Sequence, residues 1–186
     1  MILSSSTRYL VVLLMLGSVS SCASVPITSM IQFAAMGGSG LERVDPAGIR
    51  VRVSVSPGFE LDVARTTLGF SSAPPDAPVR DENLTLELIE RTTMERSLGF
   101  LRGSASVPTY VLRLTPASVK KFSDIRKSAL AKDNRSKRTF SVSAPFSKTP
   151  NKPKAVTFWT DLKFSSDGSW VVLLDGAELV FKAATR

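Results

Sequence analysis

The 186-residue sequence predicts a mainly β fold: an antiparallel β-sandwich with one amphipathic helix inserted near residues 116–133. Three observations lead there. About eight short stretches alternate apolar and polar residues at period two, the pattern of strands half-buried on one face. Turn chemistry separates them, at Ser56-Pro57-Gly58, across the proline-rich segment from Ser71 to Pro78, and at Asp167-Gly168 and Asp175-Gly176. Only the stretch after Thr115-Pro116 carries a long apolar stripe at helical spacing.

In chain order, residues 22–48 read as a tether. Met30, Ile31, Phe33, Ala34 and Ala35 suit a short helix closed by Gly37, or an apolar patch packed on the domain. Gly37-Gly38-Ser39-Gly40 is flexible linker chemistry. A single β-rich domain then occupies 49–186. Ile49, Val51, Val53 and Val55 face one way and Arg50, Arg52 and Ser54 the other, which predicts the clearest strand. Leu61 and Val63 open a second strand, but Leu68 and Phe70 have the opposite parity, so a bulge is expected near Arg65–Thr67. Leu84, Leu86 and Leu88 predict a strand, and so do Tyr110, Leu112 and Leu114; between them Thr92–Ser106 shows no clean period.

Thr115 reads as a helix N-cap and Pro116 as a first-turn residue. Val119, Phe122, Ile125, Ala129 and Leu130 form the buried stripe, with Lys120, Lys121, Lys127 and Lys132 largely off it. Asp124 is spaced to support Lys120 and Lys127. Phe140, Val142 and Phe146 predict a strand, and Lys148–Lys154 a proline-containing loop. Val156 to Phe164 alternates strictly. Trp170–Leu174 is continuously apolar, as in a strand covered on both faces, and Leu179–Phe181 completes a three-stranded meander after Asp175-Gly176. This element count suits an immunoglobulin-like or transthyretin-like sandwich, with a half-open barrel as the alternative.

The N-terminus carries the sharpest motif. Arg8 is followed by an unbroken apolar run from Tyr9 to Leu16, then by small residues and Val19-Ser20-Ser21-Cys22. The run is far shorter than the roughly 20 apolar residues of a membrane span, and suits an export signal. Val19–Cys22 resembles the lipobox of bacterial lipoproteins. That resemblance covers residues 1–23. It implies that residues 1–21 are removed, that Cys22 becomes a lipid-bearing N-terminus, and that the membrane is reached through this lipid. Ala23 follows in place of the aspartate that retains such proteins in the inner membrane. The expected location is therefore the cell envelope, on the outer membrane facing the periplasm.

Composition narrows the chemistry. There is no histidine, and Cys22 is the sole cysteine. Histidine-based triads and the usual zinc ligand sets are thereby ruled out, and no cofactor is implied. The charge is concentrated: residues 113–154 hold twelve basic side chains against two acidic, while 23–112 hold eight against ten. Lys120, Lys121, Lys127, Lys132, Arg135, Lys137 and Arg138 form the densest part, with Lys148, Lys152 and Lys154 beyond. Such a run is either a solvated face or a contact for an anionic partner. In an exported chain the candidate partners are anionic lipid, cell-wall polymer or an acidic envelope protein, and nucleic acid is not expected.

Enzymatic alternatives need a carboxylate pair, with Glu60 and Asp62, or Asp81, Glu82 and Glu87, as candidates. Ser118-Val119-Lys120-Lys121 matches the short Ser-x-x-Lys pattern of penicillin-binding enzymes, but the companion motifs are missing, and it reads as solvated helix surface. The expectation is a non-catalytic, lipid-anchored binding or scaffolding protein, with an envelope enzyme or an accessory lipoprotein of an assembly machine as alternatives.

Overall fold

A computed structural model describes residues 28–32, 40–74, 78–98, 103–132 and 136–181. The fold is mainly β, antiparallel, with a single α-helix among these residues. The strands are β1 (Thr28–Gln32), β2 (Arg50–Val55), β3 (Glu60–Leu61), β4 (Thr67–Ala73), β5 (Arg80–Ser97), β6 (Ser104–Leu114), β7 (Lys137–Ser143), β8 (Phe146–Lys148), β9 (Ala155–Lys163) and β10 (Val171–Val180). The helix α1 spans Pro116–Lys132. Eight strands form one sheet in the order β1-β7-β4-β5-β6-β2-β9-β10, while β3 and β8 pair separately.

The sandwich-like shape comes from β5. Its first third, to Thr85, pairs with β4, and the rest, from Leu86 to Ser97, pairs with β6. One 18-residue strand thus serves both layers, and the sheet curls until β1 approaches β10 at the other end. A register shift between Leu88 and Glu90 marks the bend. Such bulges strengthen local twist and let a strand turn a corner.

Between the layers lies an apolar core with an aromatic cluster toward each end. Phe70, Phe122, Phe140 and Phe164 touch at centroid distances of 5.1–5.7 Å beneath α1. Phe59 packs between Phe146 and Phe181 at the other end, beside β3 and β8. Helix α1 belongs to the first end: Phe122 is fully buried, and Thr115 Oγ1 accepts from the Ser118 amide as the predicted cap.

Several local expectations are corrected. Met30 and Ile31, read as part of a short helix or of an apolar patch on the domain, lie in a strand paired with β7, while Phe33, Ala34, Ala35 and Gly37 lie outside the described residues; Leu41 and Val44 join the core. The folded unit therefore reaches upstream of Ile49. Between β3 and β4 lies a 3-10 turn, Val63–Arg65, held by Asp62, whose side chain accepts from the Arg65 amide; this turn produces the parity change. Within Thr92–Ser106, without a clean period in sequence, Thr92–Ser97 pairs antiparallel with Ser104–Thr109, and 99–102 lie outside the described residues. Asp175-Gly176 does not end a strand. β10 runs through it as an irregularity, with Gly176 at φ +69°, a conformation open to glycine. Nor is the start of β10 covered on both faces: Val171 and Val172 are exposed on an edge strand.

Candidate functional site

The basic segment is divided by the fold. Lys120 and Lys127 lie exposed on α1, two turns and about 10 Å apart. Lys137, exposed at the start of β7, pairs in register with Ala73 at the α1 end of the first layer. None of the three makes an ion pair among the described residues, and the expected support from Asp124 is not formed. Lys121 is different: its Nζ lies 2.8 Å from Glu82 and donates to the Asn83 carbonyl at 3.3 Å.

Arg138 is corrected outright, since it is 7% exposed and not a surface contact. Its parity on β7 matches Phe140 and Val142, so the side chain turns inward and Nη2 donates to the Ala129 carbonyl in the last turn of α1. A guanidinium there meets the negative end of the helix dipole and unsatisfied carbonyls. Lys132 closes α1, its side chain lying outside the described part. Arg135 and Cys22 also lie outside the described residues.

Lys148, Lys152 and Lys154 sit at the opposite end. Lys148 pairs with Glu60 at 3.3 Å across β3 and β8, and Lys152 occupies a turn at φ +52°. The run that looks continuous in sequence thus presents two exposed groups, separated by the length of β7, about 20 Å.

The carboxylate candidates are mostly engaged elsewhere, and only Asp81 and Glu82 share a groove. Glu60 faces Lys148 and also Arg91 at 3.8 Å. Asp62 caps the turn after β3. Glu82 is held by Lys121, and Glu87 by Arg113 at 2.7 Å. Asp81 and Glu82 both line a groove of about 320 Å3 on the first layer, with Gly69, Ser71, Asn83, Thr139 and Ser141. In the Ser-x-x-Lys stretch, Ser118 is buried and bonded to Thr115, a correction to its reading as solvated surface. Among the described residues no three histidine, cysteine, aspartate or glutamate side chains cluster as a metal site. No described helix is long and apolar enough to cross a membrane.

One cluster escaped the sequence reading. Asp161 on β9 is fully buried, yet it faces away from the main core. Its Oδ2 accepts from Arg52 Nε at 2.7 Å and from Arg96 Nη2 at 2.5 Å, joining β9 to β2 and to the β5–β6 arm. Fully buried Trp159 and Val107 share this face, with a Ser54–Thr109 hydroxyl bond of 2.8 Å between them. Trp170 covers Arg52, whose Cζ stands 4.3 Å from the ring centroid. The second layer coils so far that Gly176 approaches both Trp159 and the Ser97 backbone. The signal present in the sequence was a tryptophan and an aspartate alternating with the apolar residues of Val156–Phe164. The arrangement is a small second core, and its buried charge is matched by two cations, as a buried carboxylate requires.

No protein-family model, curated protein or solved structure matches the chain.

Proposed function

We propose that the protein is a lipid-anchored envelope protein with a non-catalytic binding or scaffolding role. It presents the outer face of α1 and the start of β7 to an anionic partner. The observation that carries this reading is the set Lys120, Lys127 and Lys137: exposed, at one end of the domain, and without a counter-ion among the described residues. Its neighbours Arg113 and Lys121 are neutralised by Glu87 and Glu82. Uncompensated cations on a rigid helix attract anionic groups and speed encounter with them. The lipobox-like Val19-Ser20-Ser21-Cys22 supplies the anchor, and stable attachment follows from the several acyl chains that such a cysteine carries.

Two measurements test it. The Cys22→Ala chain should leave the membrane fraction and keep its signal segment; normal cutting and unchanged partition would remove the anchor from the reading. A photo-crosslinking probe at Lys137, in the native cell, should give a discrete protein or polymer adduct that disappears when Lys120 and Lys127 are changed to glutamate. Labelling no stronger than from a probe at Glu87 would return this face to plain solvated surface.

A further inference from the structure

The anchor and strand β1 together determine which end of the domain meets the membrane. Cys22 precedes Thr28, the first residue of β1, by six positions. Six residues reach at most about 20 Å even when fully extended. Thr28 pairs with Ser143, at the end of β7 from which the chain continues through Ala144 and Pro145 into β8. Thr28 is therefore held within about 20 Å of the lipid, and the β3–β8 end is the end of the domain beside it. Lys137 and the C-terminal turn of α1 lie a further strand length away.

The near end is basic and firmly built. Arg65, Lys148, Lys152 and Lys154 are exposed there. Against them stand Glu60, already shared between Lys148 and Arg91, Asp62, engaged in its turn, and Glu178 near the end of β10. Pro150 lies directly over Gly58, and Phe59 packs nearby, stacked on Phe181 and tilted against Phe146. The lysines thus project from a supported loop.

We infer that this end is a docking surface for the anionic headgroups of the membrane that holds the anchor, with Lys148, Lys152 and Lys154 as its contacts. The inference rests on the lipid-anchor reading. It commits to lipid because the short connection keeps the β3–β8 end nearer the bilayer than the α1 end, and because its charge complements an anionic leaflet. Each lysine strengthens the association roughly fivefold at low ionic strength, and the gain fades as salt shortens the Debye length.

The test uses the full lipid-bearing chain, reconstituted into vesicles of phosphatidylethanolamine and phosphatidylglycerol. Because the Cys22 thiol is occupied by lipid, Lys152→Cys and Lys127→Cys each offer one site for a fluorophore, and spin-labelled headgroups serve as quencher. Quenching should be several-fold stronger at position 152 than at 127. It should even out when Lys148 and Lys154 become glutamate, or when a long glycine-serine insert separates Cys22 from Thr28. Equal quenching, or stronger quenching at 127, in vesicles that float with the protein overturns the orientation and leaves the anchor intact. A chain that does not float, and whose Cys22 takes the dye, overturns both.

Discussion

At the residue scale the Asp161 cluster sets the sharpest stability prediction. A buried carboxylate between two largely buried guanidinium groups is expensive to break, because removing one partner leaves the others desolvated and unmatched. Asp161→Ala should destabilise the domain by about 3 kcal/mol, seen as a lower urea midpoint at unchanged slope. An effect below about 1 kcal/mol, the worth of an exposed pair, would mean that solvent reaches the site. The sequence showed these residues on a strand face but not their pairing. Period two correctly placed Arg52 and Ser54 on the face opposite Val51 and Val53. Parity assigns a face, however, and does not say what covers it. Here the coiling of the second layer covers a face that would otherwise be wet. Arg138 misled in the same way: its charge suggested surface, whereas the carbonyls ending α1 gave it an interior partner.

At the element scale, the readable pieces were those whose local chemistry agrees with their environment. Helix α1 combines a cap, a first-turn proline and an apolar stripe ending in the buried Phe70–Phe122–Phe140 contacts. Thr115→Ala should cost about 1 kcal/mol through the lost cap, and Phe122→Ala about 3–5 kcal/mol through the cavity left behind, both measurable by denaturant unfolding. β10 was less readable. Its unbroken apolar run looked buried on both sides, and its Asp-Gly looked like a turn. In the fold it is an edge strand with exposed Val171, Val172 and Val180, and its glycine makes an irregularity beside Trp159. Gly176→Ala should lower stability by about 1 kcal/mol or more, since φ +69° disfavours a side chain and the new Cβ would stand 3.3 Å from the indole nitrogen. A neutral result would show that β10 can re-register locally. The basic segment was legible as charge but not as geometry, because β7 carries its two halves to opposite ends.

At the scale of the whole molecule, the sequence foretold a mainly β antiparallel fold with one helix. It did not foretell that one sheet would supply both layers, or that the supposed tether would enter it. Strand pairing over long separations leaves no local mark: Thr28 and Ser143 are distant in the chain, and each is an ordinary polar residue. Removing residues through Gln32 from a lipid-free version should therefore reduce stability and promote association through the exposed edge of β7, measured by urea unfolding and light scattering. Unchanged behaviour would show that β1 adds nothing to the fold. On the lipid-anchor reading, β1 also works as a clutch on the leash. While it is engaged, at most about 20 Å of chain separates lipid from domain; with it released, the connection runs from Cys22 to Leu41, which stays in the core, and can extend to roughly 65 Å. A competing strand that took its place beside β7 would, in the same act, let the domain travel several times farther from the membrane.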